Sequence, residues 1–155
     1  MNKPLDTTLS LEISQRIKSK AKNSFDNTYK AIKLMEGATY VQGFLVNAQK
    51  PYKPIEHSWI ELEENLVDPT LPHFNSTTQE FYYFPAHCLS VKQLLAAVEE
   101  AKEDYPDDPP LPVYGEAPYE YYGDVMLGGH DYQVAYEQAL AKCKELIRLK
   151  KYEEN

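Results

Sequence analysis

TYVQGFLVNAQKPYKPIEHSWIELEENLVD, residues 39–68, decides the fold. Residues 39–47 are dense in β-branched and aromatic side chains, which suit a pleated, half-buried surface. They read as a strand, with Gly43 marking a bulge or the close approach of another backbone. Asn47 through Pro54 is a loop. The segment 55–62 alternates, with Ile55, His57 and Trp59 on one face and Ser58, Ile60 and Leu62 on the other. A further strand runs from Asn65 to Asp68, and Pro69 closes it because proline has no amide hydrogen for a ladder. Two registers join these strands. If the loop is Glu61 to Glu64, Asp68 stands opposite His57 and Leu66 opposite Trp59; if Glu64 and Asn65 form a two-residue turn, Asp68 faces Glu61 and lies out of reach of the imidazole.

Upstream, Leu9, Ile13 and Ile17 recur at fourfold spacing among lysines and an arginine, predicting an amphipathic helix from Leu9 through Ala21 capped by Thr8 or Ser10. A second helix starts at Asn23 or Ser24, buries Phe25, Tyr29 and Ile32, and ends at Gly37. Downstream, a polar loop at 75–79 precedes a strand at 80–84. The segment 90–103 is a helix capped by Ser90. Residues 105–122 hold five prolines among tyrosines and acids, a composition that favours extended backbone laid over the surface as a strap. A PxxP-like partner surface is the other reading of that segment. The last helix runs from about Asp131 to Tyr152, packing through Ala135, Ala139 and Leu140, with basic residues in its final turns. The expected class is α+β: helices packed on a small antiparallel sheet, with a C-terminal helical extension. Residues 1–155 form one domain whose core spans about 9–104.

A chain of 155 residues with 43% hydrophobic content can bury a core without disulfide or metal staples. Its net charge of −8 is uneven: residues 1–37 carry seven Lys or Arg against four Asp or Glu, a net +3. Most of the surface therefore repels a polyanion, which excludes nucleic acid as the expected partner. No segment approaches the length of a membrane span, and two cysteines make no disulfide framework, so a soluble cytoplasmic protein is expected. Cys88 follows His87 directly, and strand neighbours point to opposite faces, so this is a poor catalytic pair; Cys88 and Cys143 both read as small buried hydrophobes. His57, His73, His87 and His130 lack metal-ligand spacing, and no phosphate-binding loop accompanies the glycines near 115–129. No metal and no cofactor are expected.

The residues that carry chemistry are Ser24, His57 and Asp68, in the order nucleophile, base, orienter. A hydroxyl is a weak nucleophile until an imidazole takes its proton, and a carboxylate fixes the imidazole tautomer. At a helix start, Ser24 sits beside amides with no intrahelical acceptor, which stabilise an oxyanion. As a lone serine it also reads simply as a helix cap. Trp59 shares the His57 face and reads either as a wall of the site or as core; Asn27, one turn beyond Ser24, reads as a substrate contact or a local hydrogen bond. Gln15 and Lys22 are further candidates for an oxyanion donor.

NSFDN at 23–27, YVQGFL at 40–45, EHSW at 56–59 and VDPT at 67–70 together resemble the transglutaminase-like branch of the papain-like cysteine enzymes, in particular small bacterial and phage members. Those proteins pair a Cys-Phe-x-Asn helix start with Tyr-Val-x-Gly-Tyr, His-Ala-Trp and Asp-Pro-Thr. The likeness covers about Ser24 to Pro85. It implies acyl transfer on an amide or peptide by hydrolysis, deamidation or transamidation, with His57 as base, Asp68 as orienter and Ser24 at the nucleophile position. The family carries cysteine there. Three origins fit the serine: a substitution that silences an enzyme, a natural pseudoenzyme, or a serine hydrolase. The alternative to catalysis is a protein-binding module that keeps the cleft and engages a partner through its acidic, tyrosine-rich C-terminal half.

Overall fold

The computed structural model describes residues 3–74, 80–113, 119–122 and 125–154. The loop expected at 75–79 and residues 114–118 of the strap lie outside the described residues. In chain order the elements are α1 (Thr7–Ile17), α2 (Ser24–Ile32), β1 (Thr39–Asn47), β2 (Ile55–Glu61), β3 (Leu66–Val67), a 3-10 turn (Leu71–His73), β4 (Phe81–Ser90), α3 (Val91–Asp104), β5 (Tyr119–Tyr122), β6 (Val125–Gly128) and α4 (His130–Glu154). The protein is α+β, with a small antiparallel sheet ordered β3-β2-β1-β4 and a separate β5-β6 hairpin.

Packing subdivides the single domain expected of this length into two compact units. One gathers Met1–Gln42, Ser58–Asn75 and Cys88–Tyr114; the other gathers Gly43–His57, Ser76–His87 and Gly115–Asn155. Strands β1, β2 and β4 each contribute residues to both. In the first unit, Ile13 of α1, Ala31 and Ile32 of α2, Tyr40, Ile60, Val67, and Leu94 and Val98 of α3 form one apolar cluster. In the second, Phe44 and Val46 of β1 pack on Tyr132, Ala135, Ala139 and Cys143 of α4. Phe44 meets the rings of Tyr132 and Tyr136 edge-on at 5.6 and 5.3 Å, the geometry an aromatic quadrupole favours.

Several boundaries differ from the sequence reading for identifiable reasons. Helix α1 is capped by Asp6, whose Oδ1 accepts from the Leu9 amide at 2.9 Å, and not by Thr8 or Ser10. It stops at Ile17, because Lys18 adopts φ 54° and donates its amide back into the last turn. Helix α2 ends at Ile32, and Gly37 at φ 67° lies in the following turn. Strand β4 runs through Pro85 to Ser90, beyond the expected end at residue 84. Among the described residues it is an edge strand, and on the outer side of an edge a missing amide hydrogen costs no ladder bond. Cys88 is consequently exposed, not buried. Part of the expected strap is instead the β5-β6 hairpin, with Tyr119 opposite Gly128.

Two expectations meet specific atoms. A Cβ on Gly43 would stand 2.1 Å from the Phe84 carbonyl oxygen and 3.0 Å from the Ala86 nitrogen, so β1 and β4 approach closely at that point. Ser90 caps α3 through a capping box: its hydroxyl accepts from the Gln93 amide, and the Gln93 side chain accepts from the Ser90 amide. In the first unit, the stretch before residue 114 is fastened by Gln42. Its Nε2 donates to the Val113 carbonyl at 2.8 Å, and its Oε1 accepts from the Val113 amide at 3.0 Å and from the Tyr40 hydroxyl at 2.7 Å.

A buried polar bracket around Ser24

The antiparallel register pairs Ile60 with Val67 and Glu61 with Leu66. The connecting loop is therefore four residues, 62–65, closed by the Leu62 amide donating to the Asn65 carbonyl at 2.8 Å. Neither expected register occurs. Extending the observed pairing sets Asp68 opposite Trp59, not opposite His57 or Glu61, because the turn lies one residue further along than a Glu61 to Glu64 loop. The outer edge of β3 is covered by the N-terminal segment: Leu66 donates to the Pro4 carbonyl and the Asp6 amide donates to Leu66, both at 2.8 Å. Lys3 fastens the same turn, with Nζ 2.8 Å from the Leu62 carbonyl and 2.7 Å from the Glu61 carboxylate.

That register explains where Ser24 sits. Two residues past Val67, Pro69 falls opposite Ser58 and has no hydrogen to give, so the ladder stops. Two side chains of α2, one turn apart, take over. Ser24 Oγ accepts the Ser58 amide at 3.3 Å, and Thr28 Oγ1 donates to the Ser58 carbonyl at 3.1 Å. The amide that reaches Ser24 is the peptide nitrogen immediately after His57. Ser24 is the first residue of α2, and its cap, Asn23, makes no side-chain capping bond. The first-turn amides therefore lack the usual side-chain acceptor. Ser24 is 7% exposed. The Ser58 hydroxyl is buried with no hydrogen-bond partner among the described residues.

The other candidates fall into place around this bracket. Asn27 is buried and its amide is engaged on three counts: Oδ1 accepts from the Lys20 amide at 3.0 Å, and Nδ2 donates to the Lys20 carbonyl at 2.8 Å and to Thr70 Oγ1 at 3.0 Å. Thr70 in turn donates its amide to Asp68 Oδ1 at 3.0 Å, and the Asp68 amide donates to Ser10 Oγ at 2.9 Å. Asn27 thus ties the α1–α2 connector to the Asp68 turn, a positioning task that occupies the groups a substrate contact would need. Trp59 is 1% exposed and belongs to the interior. His57 is buried, its ring 6.4 Å from that of Tyr83, itself buried. Outside the bracket, His73 Nε2 lies 2.9 Å from the Ser19 hydroxyl and 3.0 Å from the Ser19 carbonyl, and the same hydroxyl also bonds the Ser14 hydroxyl.

Titratable groups on these strands are shifted, Glu56 and Cys88 among them. Burial pushes the Glu56 carboxyl up to about 7. Cys88 is exposed, yet enough of its thiol is desolvated to raise it above the ordinary value; the Glu61 carboxylate adds to the rise and Lys3 opposes it. A thiol raised in this way is a poor nucleophile. Among the described residues, no three His, Cys, Asp or Glu side chains gather as a metal site requires, and no helix is long and apolar enough to cross a membrane. Comparison with protein-family models, curated proteins and solved structures finds no match to this chain.

Proposed function

We propose that this chain is a transglutaminase-like acyl-transfer scaffold acting on an amide of a protein or peptide, weakened or silenced by serine at the nucleophile position. Ser24 Oγ attacks the carbonyl carbon and passes its proton to His57, which Asp68 orients. The oxyanion forms beside the first-turn amides of α2. Collapse expels the amine, protonated by His57, and leaves an acyl ester for water or a second amine to take. The observation that carries the reading is the address of Ser24: first residue of a helix, its oxygen held by the Ser58 amide next to His57 in the chain. An N–H aimed at Oγ stabilises negative charge there and leaves the hydroxyl proton to be given to a base.

A second reading, a protein-binding module without turnover, is favoured by the same bond. A serine that is 7% exposed and closes a broken ladder has a structural task that needs no chemistry. A fluorophosphonate probe on the unaltered chain separates the two. Adduct at Ser24 that disappears in His57→Ala supports a working hydrolase; no adduct, together with an unreactive thiol in Ser24→Cys, supports the binding module.

A further inference from the structure

Among the described residues, an open groove in each compact unit can be compared, and the two have opposite charge. In the first unit a groove of about 500 Å³ runs between Tyr29 of α2 and the α3 stripe Leu95, Glu99 and Glu103. In the second a groove of about 620 Å³ runs between the loop residues Lys50, Pro51 and Tyr52 and the α4 stripe Ile147, Lys150 and Lys151. Residues 99–108 hold six acids and one lysine, whereas residues 142–151 hold five basic residues and one acid. On a chain of net charge −8 the second concentration runs against the overall composition. Lysines in a last helical turn suit the helix dipole, but Lys50 belongs to a separate loop and faces the same groove, which the dipole does not explain.

Both grooves have an apolar element left in water: Leu95 is 37% and Ile147 39% exposed. Each helix supplies one wall of its own groove and carries, on the same stripe, an exposed apolar side chain beside charges opposite in sign to those of the other groove. We propose that this protein associates with a second copy of itself head to tail, the acidic α3 face of one copy docking on the basic α4 face of the next. Glu99 and Glu103 enter the groove rimmed by Lys50, Lys150 and Lys151, and Ile147 reaches Leu95 and Tyr29, as ridges of one helix pack into grooves of another. Exposed ion pairs contribute little by themselves, so the apolar pair holds the contact while the charges select the partner and set the salt dependence. Such an interface is heterologous, and it repeats until a ring closes or a filament grows.

Sedimentation velocity of the full chain tests this. At about 50 mM salt the weight-average sedimentation coefficient rises with protein concentration, and at about 500 mM salt the association weakens tenfold or more. Lys150→Glu with Lys151→Glu, and separately Glu99→Lys with Glu103→Lys, are each monomeric. Mixing the two variants restores association, because the mixture still contains one native acidic face and one native basic face; that rescue also shows both variants are folded. A wild-type chain that stays monomeric at about 500 µM in low salt, a concentration that populates even a weak complex, overturns the proposal. So does association indifferent to both charge reversals, or a monomer whose lysine face binds only anionic vesicles.

Discussion

Replacing Asn27 by alanine removes the side chain that holds three backbone and side-chain groups at once. The α1–α2 connector needs that hold, because Lys18 and Lys22 both sit at positive φ, 54° and 62°, where a residue with a Cβ is disfavoured by about 1–2 kcal/mol. Each of the three hydrogen bonds contributes about 1 kcal/mol net. Lys20 is exposed, so water replaces part of what its backbone loses, whereas Thr70 is buried and keeps an unpaired hydroxyl. The expected loss is about 2–3 kcal/mol, or roughly 5–10 °C in Tm for a chain of this size. Asn27→Asp keeps one acceptor, loses both donations and sets a negative charge against the Lys20 carbonyl, so it costs about as much. Urea unfolding followed by circular dichroism, with an unchanged m value, measures both. A loss below about 0.5 kcal/mol in either variant refutes the positioning role.

Gly43→Ala places a Cβ against the Phe84 carbonyl with no flexible side chain to yield; a loss of at least about 3 kcal/mol is expected by thermal unfolding, and a neutral result contradicts the close approach of β1 and β4. Glu56 gives a pH dependence of definite sign. Its folded value, about 7, lies above the ordinary carboxyl value, so the folded protein holds the proton more tightly and stability falls as pH rises from about 4.5 to 7. After discounting for residual contact with water, the contribution is about 1–2 kcal/mol, and Glu56→Gln flattens the profile and raises stability at pH 8. An unchanged slope in that variant assigns the dependence to another group.

How much of this was legible in the sequence depended on which forces set each element. Strand β1 matches its expected bounds because β-branched and aromatic residues hold five of its nine positions, and the Ser90 cap carries its own signature in Gln93. The sequence reading ends strand β4 at residue 84, before Pro85, and only the sheet order shows that its position is an edge, where proline is tolerated. The register is not legible in the sequence: the contacts of residues 3–6 with the 61–66 turn, two backbone bonds at Leu66 and the Lys3 side chain on Leu62 and Glu61, carry no motif. The candidate residues were legible as types in order. Their tasks were not: Asn27 proves to be a tie and Trp59 an interior residue, and Thr28, Ser58 and Thr70, which build the bracket around Ser24, have no motif to announce them.

The pH dependence of alkylation at position 24 in Ser24→Cys tests the acyl-transfer reading most directly, with Cys88→Ala removing the exposed native thiol and peptide mapping locating the adduct. The account predicts a thiolate that still reacts below about pH 7, and a further His57→Ala substitution that returns the profile to that of an ordinary thiol, slowing reaction at pH 6 on the order of 100-fold. A profile with an ordinary or raised midpoint, the same with and without His57, contradicts it.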